Sequence, residues 1–368
     1  MTLADGLRRI SAPVKICALL AAALLLVFAV QRSEGGIDEK LRAGIVMDGS
    51  RYAPGWYAFN FDAAERAAAA EKLVLLTADN LQGDRARLME ACDSLIRGGA
   101  RLIVLTGFDD PGALEGYMAD HSGVQFAGFD FSLKLKNYHP VFFRMYEARY
   151  LSGIVAALTS RSGILGYVAA RAKPEVLRGV NAFALGAQSV RPKARVKVIF
   201  TGKWSSEKLE AEALKRLKGH GADVIAYHGN ENHVPAMCEQ SKTDYIAMEA
   251  PGAAPLGHEL TAVFCDWDSY YRQMFRALKE NALLSSLWIG LESGATGLTG
   301  FSPRVSKKTR AAVLKAQQAL ESGEISVFTG VLTDSAGGRH GRSGVPLSDE
   351  ELQNSMKYLV KGAETDNE

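Results

Sequence analysis

From residue 41 onward, short apolar runs alternate with amphipathic stretches at the spacing of βαβ units. Residues 42–47 (RAGIVM), 72–77 (KLVLLT), 101–106 (RLIVLT) and 124–129 read as strands. Residues 56–71, 84–97 and 111–120 read as helices, the second ended by Gly98-Gly99. After a further helical stretch at 144–158 the pattern starts again. Strands are predicted at 164–169, 195–200, 223–227, 245–248 and 260–264, with helices at 174–189, 207–218 and 234–240. Strand, helix, strand at this spacing means right-handed crossovers and parallel sheets. The chain has 368 residues, whereas one hydrophobic core rarely grows past ~250–300. The expectation is therefore an α/β chain of two doubly wound parallel-sheet lobes joined by a hinge. Residues 41–147 with 268–298 would form lobe 1, and 148–267 with 299–368 lobe 2. Ligands of such sheets sit beyond the carboxyl ends of the strands, so two facing lobes would share a cleft.

The first 40 residues have a different character. Arg8, Arg9 and Lys15 precede fifteen uninterrupted apolar residues, 16–30, and a polar, glycine-containing linker follows. This is the layout of an export signal, and it is short for a spanning helix, which wants ~20 residues. Two expectations stand side by side: a cleaved signal, or an uncleaved anchor holding the chain to the inner membrane. Either places the remainder in the periplasm or at the cell surface. Cys17 starts the apolar run instead of following it, so no lipobox is present.

Composition narrows the function classes. Lys and Arg number 43 against 41 Asp and Glu, a net charge of +2, with both signs interspersed. No basic field is available for a nucleic-acid backbone. The four cysteines, Cys17, Cys92, Cys238 and Cys265, fit no metal-ligand or CxxC spacing and read as free thiols. The chain carries no GxxxxGK[ST], no strand-linked GxGxxG with a following acid, and no HExxH. No cofactor or metal is expected. His228 and His233 lie close in sequence, but a shared loop explains that more simply than a ligand pair.

The predicted strand ends carry aromatic and polar residues suited to a flat heterocycle. Trp56 follows the first strand through a turn, Trp204 lies just past 195–200, and Trp267 just past 260–264. Indole rings at such edges can stack on a planar ligand, each contact contributing ~1–3 kcal/mol. Phe108 follows another strand end. Asn60, His228, Asn230, Glu231, Glu249 and Asp266 occupy similar positions, where amides and carboxylates can read donor and acceptor edges. Each alone is equally a loop residue or a helix cap.

Three longer blocks add a family resemblance. They are residues 144–153 (RMYEARYLSG), 163–168 (GILGYV) and 174–188 (PEVLRGVNAFALGAQ). With Trp204, the segment 265–271 (CDWDSYY) and 319–330 (ALESGEISVFTG), they resemble the basic membrane protein family. These are substrate-binding proteins of ABC importers for nucleosides and purine bases. The resemblance covers roughly residues 41–365, and 174–188 is its most specific part. It implies a type I periplasmic-binding-protein fold with a base clamped between aromatics in the interlobe cleft. Gly55-Trp56 and the position of Trp204 look most like the branch that binds free bases such as adenine. Trp56 and Trp204 would then be the stacking residues. Asn60 stands where that branch usually has a histidine, and residues 249–252 depart from the Asp-containing pattern of nucleoside binders, so the identity of the purine stays open.

On that reading the chain is not an enzyme. It would close on its ligand by rotation about crossings near 144–150 and 266–268, and pass the ligand to ABC permease subunits. The rival readings are a membrane-tethered ligand sensor, a purine-processing enzyme using Glu231, Asp266 or His228, and a repressor. The last would need a DNA-binding headpiece where this chain has an apolar segment.

Overall fold

The computed structural model describes residues 40–108, 111–129, 132–282 and 286–365. The apolar run 16–30 and Cys17 lie outside them. Among the described residues, no helix is long and apolar enough to cross a membrane.

The first α/β run gives β1 (Arg42–Met47), α1 (Trp56–Glu71), β2 (Val74–Ala78), α2 (Arg85–Arg97), β3 (Ala100–Thr106), α3 (Glu115–Asp120), β4 (Gln125–Gly128) and β5 (Tyr138–Phe143). The second gives α4 (Met145–Thr159), β6 (Ile164–Ala169), α5 (Pro174–Val190), β7 (Arg195–Phe200), α6 (Glu207–Gly219), β8 (Val224–His228), α7 (His233–Gln240), β9 (Asp244–Met248) and β10 (Glu259–Cys265). Then come α8 (Trp267–Lys279), β11 (Leu287–Ile289), β12 (Thr296–Leu298), α9 (Lys307–Glu321), a small hairpin of β13 (Leu332–Thr333) and β14 (Arg339–His340), and β15 (Ala363–Thr365). Local chemistry sets several starts. Asp84 accepts from the Ala86 and Arg87 amides at the head of α2, Ser306 caps α9, and Pro174 opens α5, where its missing N–H breaks no bond.

Among the described residues, one sheet runs β11–β5–β4–β3–β1–β2 and a second β12–β10–β9–β8–β6–β7–β15. All neighbours are parallel except the antiparallel pair β10–β12. The chain passes between sheets three times: at Arg144, at Asp266, and between Ile289 and Thr296. The expected span 268–298 for the first lobe runs through the third crossing, because Leu287–Ile289 pair with β5 but Thr296–Leu298 pair with β10.

The three crossings are braced together. Arg144 donates to Glu147 (2.7 Å), to the Trp288 carbonyl (3.0 Å) and to Glu292. Glu147 also accepts the Leu291 amide at 2.8 Å. The Asp266 amide donates to the Ala295 carbonyl at 2.8 Å, which ties the second crossing to the third.

Strand β5 has no counterpart in the sequence reading. Its run Tyr-His-Pro-Val-Phe-Phe contains a proline, which normally argues against an interior strand. Pro140 is accommodated because it sits at a changeover. Residues 138–140 pair with β4, and the pairing with β11 begins at Val141.

The core of the second sheet depends on close approach of α4 and α5. A Cβ at Gly153 would collide with the Phe183 carbonyl, and one at Gly186 with the Tyr150 carbonyl. Backbone cannot give way as a side-chain tip can. Gly186→Ala is expected to destabilise the fold by about 1–3 kcal/mol through overpacking, read as a lower midpoint in denaturant unfolding.

Candidate functional site

The carboxyl ends of both sheets face one cavity of about 380 Å³, within the range of small-molecule sites. Lobe 1 contributes Trp56 from the first turn of α1, Phe108 after β3, Phe129 after β4, and Phe142. Lobe 2 contributes Trp204 after β7, His228 and Asn230 at the end of β8, and Lys173, Glu175 and Arg178 around the start of α5. Gln353 and Asn354, from the turn that packs on α5, close one side.

Trp56 is rigidly mounted. Its Nε1–H donates to Thr106 Oγ1 at 2.9 Å in a buried bond. Its ring meets Phe129 edge-on at 5.3 Å and Trp267 at 5.0 Å. Trp267 in turn meets Phe143 at 4.7 Å, nearly perpendicular.

The two lobes touch directly beside Trp56. The Trp56 amide donates to the Asn230 carbonyl (2.9 Å), the Asn232 amide to the Pro54 carbonyl (3.2 Å), and Asn230 Nδ2 to Tyr57 Oη (2.9 Å). Gly55 and Glu231 form an antiparallel bridge at this point. Gly55 has φ +125°, a conformation open essentially to glycine alone, and a Cβ there would strike the Asn230 carbonyl. On the lobe 2 side the Asn230 amide donates to the Trp204 carbonyl at 2.8 Å, so the latch and the second indole share one loop system.

Of the residues singled out from the sequence, Trp56, Phe108, Trp204, His228 and Asn230 line the cavity. The other five are placed elsewhere. Asn60 is fully buried, donating to the Trp56 carbonyl and accepting from Tyr271 O–H, both at 2.9 Å, which ties α1 to α8. Asp266 caps α8 by accepting the Ser269 amide at 3.0 Å. Trp267 stands behind Trp56 as a second layer. The Glu231 carboxylate lies 3.2 Å from His233 Nε2. Glu249 follows β9, and its amide donates to the Val263 carbonyl.

The sequence reading did not single out Arg178, which lies inside the helix-like block 174–188. Arg178 Nη1 donates to the Leu352 carbonyl and, at 3.4 Å, to that of Gln353. Its guanidinium lies over Trp288 at 5.1 Å and Phe142 at 5.9 Å. Burial lowers its pKa to about 10, so it remains a cation at neutral pH. His228 differs: burial, with Arg149 and Arg178 nearby, pulls it down to about 3, so the imidazole is neutral. The cavity therefore combines apolar ring faces with the buried Arg178 cation, the charged Lys173 and Glu175 at the start of α5, a neutral imidazole and amides. It has the means to hold a flat polar molecule by stacking and donor–acceptor reading.

Elsewhere in the second lobe, burial raises the Glu249 carboxyl, and burial together with Glu249 pushes Glu259, at the start of β10, up to about 7. A carboxyl whose folded value lies above its unfolded one gives stability that is complete below about pH 4.5 and is lost as pH rises through 7. Glu259→Gln is therefore expected to stabilise the protein at pH 8 more than at pH 5. Equal changes in thermal midpoint at the two pH values would contradict this.

Comparison with known proteins agrees with the architecture. Residues 40–328 match the Bmp family, described as ABC transporter substrate-binding protein, PnrA-like. A purine-binding protein of Brucella abortus is 28% identical over 336 residues, covering 89% of this chain and 94% of that one. Among solved structures, an ABC transporter solute-binding protein from Aeropyrum pernix superposes with a TM-score of 0.65 at 18% identity, covering 78% of this chain and 92% of that one. A transcriptional activator of the comK gene from Bacillus halodurans gives 0.66 at 20% identity, covering 77% and 99%. These two likenesses speak to the fold. The family match spans most of the chain, and with it the chain belongs to the PnrA-like substrate-binding proteins of ABC transporters, a non-enzymatic, extracytoplasmic family with the type I periplasmic-binding-protein fold.

Proposed function

We propose that this chain captures a purine base or nucleoside in the interlobe cavity, stacked between Trp56 and Trp204, and delivers it to ABC permease subunits. The observation that carries the reading is the placement of these two indoles. They come from opposite lobes, sit at strand carboxyl ends, and line the same 380 Å³ cavity. The name of the Brucella abortus relative, a purine-binding protein, supports it. Phe108, His228 and Asn230 complete the proposed site, with Arg178 facing acceptor atoms of the ligand. The apolar run 16–30 is proposed to export the chain or to anchor it outside the cytoplasm.

Closure follows from the latch. A ligand touching both lobes favours the arrangement in which the Trp56 amide reaches the Asn230 carbonyl, and so shifts the balance between open and closed forms. Thermal-shift screening against adenine, guanine, hypoxanthine and their nucleosides should show at least one stabilising ligand. Failure of every purine to move the midpoint would end the assignment. Trp204→Ala should weaken that ligand roughly tenfold or more in calorimetry, from the size of one stacking contact.

Gly55→Ala tests the latch separately from the stack. Each lost backbone bond contributes about 0.5–1.5 kcal/mol. The Trp56 and Asn232 amides should therefore exchange with deuterium up to roughly tenfold faster than in the parent, with β1 unchanged. Unaltered protection at both would show that the lobes do not depend on this contact.

A further inference from the structure

A second polar cluster lies behind the cavity wall. Arg149 of α4 is 1% exposed, Tyr167 of β6 0% and His228 of β8 7%. Among the described residues, Arg149 Nε, Nη1 and Nη2, Tyr167 Oη and His228 Nδ1 have no hydrogen-bond partner, and no carboxylate pairs with Arg149. The Tyr167 hydroxyl and His228 Nδ1 converge beside Gly179, where the aliphatic stem of Arg149 also packs. From the point a Cβ would occupy there, Tyr167 Oη is 3.4 Å away, His228 Nδ1 3.5 Å and Arg149 Cγ 3.7 Å. The Tyr167 ring, with the guanidinium carbon 5.8 Å from its centroid, offers Arg149 only a π face.

A guanidinium removed from water with neither acceptor nor counter-charge is among the most unfavourable arrangements a core can hold. Water would satisfy the N–H groups but leave the charge uncompensated. A small monovalent anion does both, since Arg149 and the Tyr167 hydroxyl can supply donors from two sides.

We propose that Arg149, Tyr167 and His228 form a buried site for a small inorganic anion of the chloride class, separate from the ligand cavity and sharing only the His228 ring with it. The anion is a structural counter-ion for α4 against the second sheet. Its presence also selects a tautomer. Nδ1 carries the proton and donates to the anion, which leaves Nε2 with a lone pair on a ring that lines the cavity. Through His228 the anion thus sets which hydrogen-bonding groups a cavity ligand can offer. The site itself stands whether or not that ligand is a purine.

The test uses the purified full-length chain in sodium chloride or in sodium gluconate at equal ionic strength. In chloride the thermal midpoint should rise by roughly 2 °C or more for each tenfold increase above half-saturation. Arg149→Met, close in volume and uncharged, should abolish the difference between the two salts. Crystals grown in sodium bromide should show an anomalous peak within hydrogen-bonding reach of the Arg149 guanidinium. A parent midpoint indifferent to chloride overturns the proposal, as does the absence of a bromide peak at Arg149. The bromide experiment needs no variant, so it decides the matter even if Arg149→Met fails to fold.

Discussion

The Asn230 carbonyl, receiving the Trp56 amide across the gap between two sheets, is the contact on which the site's geometry rests. It demands a residue before Trp56 that has no Cβ and can hold φ +125°, hence Gly55. It starts α1 where its first side chain faces the cavity. It also brings the 229–232 loop, and through the Asn230–Trp204 bond the second indole, to the same place. Apart from Gly55 and the Asn230–Tyr57 bond, the latch is made of backbone and places few demands on the side chains that face the cavity.

The hinge complements the latch. Three strands of chain cross between the lobes, and Arg144, Glu147 and Glu292 pin the first crossing to the third. Sliding of one lobe past the other would break several of these charge-assisted bonds at once. Rotation that opens or closes the cavity, the motion the proposed capture requires, would leave this bracing in place.

Much of the fold was legible because it rests on local signals. The βαβ alternation, Asp84 ahead of α2 and Pro174 at the start of α5 each declare themselves within a few residues. β5 did not, because Pro140 is tolerated only through a neighbour change set by β11, nearly 150 residues later. The cavity lining was legible where a residue's placement follows from a nearby strand end, as with Trp56, Trp204 and Asn230. It was misleading where the same position serves structure. Asp266 spends its carboxylate on the Ser269 amide and hydroxyl in the first turn of α8, and Asn60 spends its amide on the α1–α8 seam. Arg178 was hidden for the opposite reason. An arginine in a helix reads as solvated; the turn at 352–354 and the rings of Trp288 and Phe142, all distant in sequence, cover it.

The two halves of the cavity are not equally prepared. Trp56 is held by Thr106, Phe129 and Trp267 in a rigid aromatic stack belonging to one lobe. In the other lobe Arg178 and His228 sit on a helix and a strand, while Trp204 and Asn230 lie on loops held by the Asn230–Trp204 bond, by Glu210 accepting the Ser206 amide at 2.9 Å, and by His233 between Glu210 and Glu231. For the proposed flat ligand, the bracing of Trp56 keeps the ordering cost on the lobe 1 side low. On the proposed function, the polar groups that would tell one ligand from another, His228 and Asn230, lie at the end of β8 and in the loop after it, so the bonds that hold that segment would bear on selectivity as well as on affinity.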